Sequence, residues 1–201
     1  MIVTHSDLSE VRRLKMVATQ RLLGDTISVS ENDWHSPTAL PGWTRAHVAT
    51  HLARNAEVLR RLLTRLDTHP QLEPDDVVRD LEVGARRSPL EIQIDLDTSA
   101  GLLNNTFNQI PAEDWSIPLS GDLHDLTVSD LPMMRLNEVV LHHVDLDCGF
   151  GFVDLDPQIA EWLLAWNVFR RTDLAAGPGI DLVASSGTVH RVGSGSGTTQ
   201  V

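Results

Sequence analysis

The chain has 201 residues, 41% of them hydrophobic and 22% charged, which is enough apolar material to bury a core and rules out wholesale disorder. Its 28 acidic residues outnumber 16 Lys and Arg, giving a formal net charge of −12. Such a surface repels phosphate backbones and anionic lipid, so nucleic-acid and membrane roles are set aside. One cysteine, Cys148, excludes an intrachain disulfide framework and a cysteine-based zinc finger.

No basic segment followed by an apolar stretch opens the chain, so no signal peptide is expected. The most apolar neighbourhood, Ile159 to Phe169, is interrupted by Glu161 and Asn167 and is too short to cross a bilayer. A cytoplasmic protein is expected.

Five stretches carry helical periodicity. The first, Leu8 to Leu23, repeats Leu8, Val11, Leu14, Ala18 and Leu22, with Ser6 or Asp7 to cap it and Gly24 to end it. The second, Thr44 to Leu66, places Val48, Leu52, Ala56, Leu59 and Leu63 on one side, behind a Pro41-Gly42 break and a Thr44 cap. The third, Pro89 to Ile110, opens on Ser88-Pro89-Leu90-Glu91, a strong start signal, and is weakened by Gly101. The fourth covers Ser129 to Cys148, and the fifth Pro157 to Ala176.

Two long connections, 27–43 and 68–88, separate the first three, and the second has room for a short helix within 75–83. Asp181 to Ser185 and Thr188 to Val192 read as short strands, followed by a Gly/Ser/Thr-rich tail. The expected architecture is mainly α, an antiparallel four-helix bundle over residues 1–153 and a partial α/β segment over 154–201.

Two helical segments carry side chains capable of chemistry. Each holds an i, i+4 pair, His47/His51 and Glu138/His142. Residues four apart stand on one helix face about 6 Å from each other, so both can converge on an ion between helices. Two imidazoles and a carboxylate suit Zn²⁺ with an open fourth position, and non-haem Fe(II) uses the same ligand types. Solvated or hydrogen-bonded histidines satisfy the same spacing. A carboxylate among Val139, Val140 and Leu141, however, needs a partner or a metal if it faces inward.

The segments LPGWTRAHVATHLARNA and, about ninety residues on, RLNEVVLHHVDL resemble the mycothiol-dependent maleylpyruvate isomerase family, within the superfamily of DinB-like metal-binding four-helix bundles. The resemblance covers roughly residues 8 to 176. It implies a divalent metal, typically zinc, on His51, Glu138 and His142. His47, Trp43, Arg45, Asn55 and Asp145 also match the recurring pattern. Asp145 could orient a ligand imidazole, or it and Asn55 could cap or bridge helices. Arg79 matches a recurring arginine suited to a substrate carboxylate, although a solvated loop arginine is the ordinary expectation there. In the family a sterol-carrier-like α/β domain follows the bundle and ends in an apolar helix, whereas this chain stops at Val201.

The implied chemistry uses an external thiol, mycothiol, because no Lys or Arg lies close in sequence to activate Cys148. Metal coordination deprotonates that thiol, which adds to maleylpyruvate, permits rotation about the former double bond and leaves, giving fumarylpyruvate. An S-transferase acting on another electrophile would keep the adduct. A non-catalytic metal-binding bundle is the alternative of a different class, against which the retention of all three ligands counts. The partners expected are a small-molecule substrate and a low-molecular-weight thiol; the oligomeric state is not readable from the sequence.

Overall fold

The computed structural model describes residues 7–64, 74–170, 177, 179–184, 186–194 and 199–200, with backbone alone at 74–79, 122 and 199–200. Six α-helices lie among them: α1 (Leu8–Thr26), α2 (Arg45–Thr64), α3 (Pro74–Ala85), α4 (Pro89–Gln109), α5 (Leu131–Leu146) and α6 (Pro157–Arg170). None is long and apolar enough to cross a membrane. By contact the chain divides into two compact units, one ending at Gly151 and the other beginning at Phe152.

In the first unit α1, α2, α4 and α5 form a four-helix bundle. Side-chain bonds along the seams give the directions. Arg45 reaches Leu146 O and Asp147 O while Arg135 reaches Asn55, so α2 and α5 run antiparallel. Arg12 reaches Asn108 and Gln93 reaches Thr26 O, so α1 and α4 do the same. The bundle is two antiparallel pairs laid side by side. Between them Val48, Leu52, Ile92, Leu96 and Val139 are closed off from solvent, and Trp34 of the first long connection joins the same cluster.

Local chemistry sets the helix ends. Ser88 and Glu91 form a reciprocal capping box with Pro89 in the first turn of α4. The expected stop at Gly24 does not occur: α1 runs on to Thr26, which is buried and bonds back to Leu23 O. Gly24 meets no requirement for a left-handed backbone there, and packing carries the helix past it. Asp7 occupies the cap position of α1 without a side-chain cap bond, and Ser6 lies outside the described residues. A 3₁₀ turn at Val128–Asp130 replaces the expected first helical turn near Ser129, and α5 begins at Leu131 with Pro132 behind it. Residues 65 and 66, expected at the end of α2, are outside the described set.

The second long connection contains α3, whose Gly84 meets α2 at Thr50 so closely that a Cβ there would collide with Thr50 Cγ2. The second unit pairs α6 with three short strands in the order β2-β1-β3. β1 (Ile180–Val183) and β2 (Val189–Val192) form a hairpin, Ile180 opposite Val192 and Val183 opposite Val189. β3 (Thr199–Gln200), which the composition of the tail did not suggest, lies parallel to β1.

One core position is costly. Lys15 is only 4% exposed, and its ammonium meets neutral groups, Asn104 Oδ1 at 2.9 Å and the Phe107 ring at 4.7 Å. Burial, with the charges of Arg135 and Arg12, pushes it down to about 8. From pH 8 up to its ordinary 10.5 the unfolded chain therefore holds more protons at this residue than the folded one, and stability rises with pH across that window. Lys15→Met should be more stable than the parent at pH 7, and that advantage should shrink by about 3 kcal/mol between pH 7.5 and 10.5 in urea unfolding.

The α2–α3 approach gives a second expectation. Gly84→Ala should cost about 1–3 kcal/mol through overpacking. Adding Thr50→Ser, which removes the colliding methyl, should recover most of the loss in the same unfolding experiment.

Candidate metal centre

The site is assembled on the α2–α5 seam. Leu40-Pro41-Gly42-Trp43 closes as a β-turn, with Trp43 N donating to Leu40 O at 3.1 Å and Gly42 at φ +80°. Proline then glycine at the two central positions is what a type II turn requires, since a side chain would resist the positive φ. A further bond, Thr38 N to Trp43 O at 2.9 Å, fixes the turn against the start of α2. The indole of Trp43 consequently lies against the rings of His51 and His142, with centroids at 5.4 and 6.4 Å.

His51 projects from the middle of α2, and Glu138 and His142 from successive turns of α5. His51 Nε2 lies 3.1 Å from Glu138 Oε2, and His142 Nε2 lies 3.6 Å from the same oxygen. One ligand atom from each of the three residues falls within 4.8 Å of the others. Among the described residues no other trio of His, Cys, Asp or Glu comes this close. A tetrahedral zinc ion with ligands at about 2.1 Å separates neighbouring ligand atoms by about 3.4 Å. The spacing and the donor set both fit such a cation.

Electrostatics prepare these groups. Burial acts to raise the Glu138 carboxyl, but hydrogen bonds and charge from His142 and His51 prevail and hold it at about 2. Burial likewise acts to lower His142, and Glu138 with Asp145 outweighs it, so the imidazole sits above its ordinary value. His142 Nδ1 lies 2.8 Å from Asp145 Oδ2. The carboxylate can only accept, so Nδ1 carries a hydrogen, and in the neutral form of the ring the Nε2 lone pair faces the cluster.

The other matching residues lie around this trio. His47 turns from it: its Nδ1 is 2.7 Å from Thr44 Oγ1 and its Nε2 is 3.5 Å from Glu82 of α3. Asn55 accepts a 2.7 Å bond from Arg135 Nη1 and so bridges α2 to α5. Arg45 donates to the last carbonyls of α5, Leu146 O at 2.6 Å and Asp147 O at 3.1 Å, where Asp147 closes the helix in the left-handed region at φ 49°. The side chain of Arg79 lies outside the described residues. Cys148 is half-buried, and burial with the nearby Asp25 pushes its thiol up to about 11, so it is a protonated thiol at neutral pH.

Sequence reading missed Arg135. It is 2% exposed, one turn before Glu138, and Nη1 also donates to Leu52 O at 2.9 Å. The available signal was an arginine among Met133, Leu136 and Val139, on the inner face of α5. The contact between His47 and Glu82 depends on where α3 packs, which no local pattern in the sequence specifies.

Comparison with curated proteins gives no match. Among solved structures, a crystal structure of the mycothiol-dependent maleylpyruvate isomerase is similar with a TM-score of 0.88 and 24% identity, over 96% of this chain and 83% of that one. A histidine-to-alanine mutant of such an isomerase has a TM-score of 0.86 and 23% identity, with the same coverage. At these identities the likeness establishes the fold. The family model for the mycothiol maleylpyruvate isomerase N-terminal domain matches residues 16–147, well over half of the sequence. On that match the chain belongs to the mycothiol maleylpyruvate isomerase N-terminal domain family.

Proposed function

We propose that this chain is a thiol-dependent enzyme that holds a divalent cation, zinc in the first place, on His51, Glu138 and His142. The reaction proposed is the mycothiol-dependent cis–trans isomerisation of maleylpyruvate to fumarylpyruvate. The observation that carries the proposal is the convergence of three ligand atoms, from two helices, within 4.8 Å of one another. Family membership and the fold support the choice of thiol and substrate.

A cation bound there supplies positive charge that favours the thiolate form of an external thiol at neutral pH. The chain's own thiol does not serve, because Cys148 stays protonated. Asp145 holds the proton on His142 Nδ1 and keeps the ring oriented, and Trp43 walls the imidazoles from water on one side. The external thiolate forms a carbon–sulfur bond at the cis double bond, whose electron pair moves into the adjoining carbonyl system. Rotation follows about what is now a single bond. The carbon–sulfur bond then breaks, the double bond returns in the trans form, and the thiolate is regenerated.

Metal analysis and a thiol-dependent isomerisation assay test this together. The parent protein should hold one equivalent of divalent metal and convert maleylpyruvate only when mycothiol is present. Glu138→Gln should lose metal and turnover with helix content intact. Conjugation of other electrophiles without isomerisation would shift the assignment to an S-transferase, and absence of metal would leave a non-catalytic bundle.

Asp145→Asn should retain the fold and weaken metal affinity about 10- to 100-fold, the usual effect of removing a carboxylate behind a ligand imidazole. Competition with a chromogenic chelator reads that change directly.

A further inference from the structure

The α1–α4 seam, on the opposite side of the bundle from the His51 cluster, contains a cavity of about 160 Å³. Met16, Leu23, Ala100 and Leu103 give it a largely apolar wall, and exposed Asp97 and Gly101 stand at its mouth. Two cations face it. Lys15 comes from α1 and Arg135 from α5, and they are 4% and 2% exposed.

Among the described residues no carboxylate forms a hydrogen bond or ion pair with either cation. Lys15 meets Asn104 Oδ1 and the Phe107 ring; Arg135 Nη1 meets Leu52 O and Asn55 Oδ1. The acid whose charge acts on Arg135, Glu138, has its hydrogen bonds with His51 and His142. Arg12, whose charge also bears on Lys15, stacks over Trp115 and donates to Asn108. Two buried positive charges at one cavity, in a chain of net charge −12, are an unfavourable arrangement unless something negative enters.

We propose that this cavity is a binding site for a short aliphatic carboxylate, whose head group pairs with Lys15 and Arg135 and whose tail lies on the apolar wall. The volume supports the class. An apolar cavity of about 150 Å³ accommodates benzene, six heavy atoms, and butyrate has the same number. A planar carboxylate can accept from a guanidinium and an ammonium at once, and such charge-assisted bonds are the strong ones. Asn104 and Asn55 then hold the two cations in place for the ligand. The site is separate from the His51 cluster and does not depend on the function proposed for it.

Isothermal titration of the metal-loaded protein with sodium butyrate at pH 7 tests the assignment, with acetate and butyramide as companion probes. Saturable one-site binding of butyrate is expected. It should be about tenfold tighter than acetate, because two further methylenes leave water, and undetectable for butyramide. Lys15→Met should weaken butyrate at least tenfold while keeping its metal and its circular dichroism spectrum. A carboxylate that instead ligates the cation at His51, Glu138 and His142 would bind Lys15→Met as well as the parent. That result overturns the proposal, as does the absence of saturable butyrate binding or equal affinity for butyramide.

Discussion

The register between α2 and α5 governs what this bundle can do. His51 comes from one helix and Glu138 and His142 from the other, so their meeting depends on how far α5 slides and turns against α2. Two arginines clamp that register on either side of the cluster. Arg45, at the start of α2, grips the terminal carbonyls of α5, and Arg135, in the first half of α5, grips Leu52 O and Asn55 of α2. A slip of one residue would rotate a helix face by about 100° and carry its side chain out of the cluster. Apolar packing alone resists such a slip weakly, because neighbouring aliphatic side chains are nearly interchangeable. Directional bonds from a rigid guanidinium fork resist it strongly.

Much of this arrangement is legible in the amino-acid sequence. The helices of the bundle announced themselves through three-and-four spacing, and Ser88-Pro89-Leu90-Glu91 wrote its capping box out in full. The Pro41-Gly42 pair marked a break, although not that the resulting turn would press Trp43 against two imidazoles. His51, Glu138 and His142 could be picked out by pairwise spacing and by resemblance. What did not show was everything decided between segments distant in sequence. The partners of Arg135, Leu52 O and Asn55, lie some eighty residues away on α2, and no local spacing names them. Gly24 looked like a stop because local propensity favours one, yet the buried Thr26 draws the helix two residues farther. β3 was hidden for a related reason. Its two residues are held by a parallel ladder to β1, and parallel pairing leaves no short-range signature.

The distribution of charge in the bundle is uneven in a telling way. An acidic exterior surrounds an interior whose buried cations, Lys15 and Arg135, lie at the α1–α4 seam, while the paired carboxylate and imidazoles lie at the α2–α5 seam. Arg135 touches both: Nη1 is tied to α2, and the same side chain faces the cavity across the core. Any charge that enters on one side acts through a medium of low polarizability on the other, where Coulomb forces decay slowly. The two seams are thus electrostatically neighbours although no water-filled path need join them.

The turn that carries Trp43 has its own consequence. Hydrogen bonds at both the N–H and the C=O of Trp43, and a glycine before it whose conformation few other residues would accept, fix the backbone from which the indole projects. A guest arriving beside it meets a wall already in its final position. Little backbone ordering entropy is then lost at that surface on association, and discrimination there falls more on the guest's outline than on rearrangement of the loop.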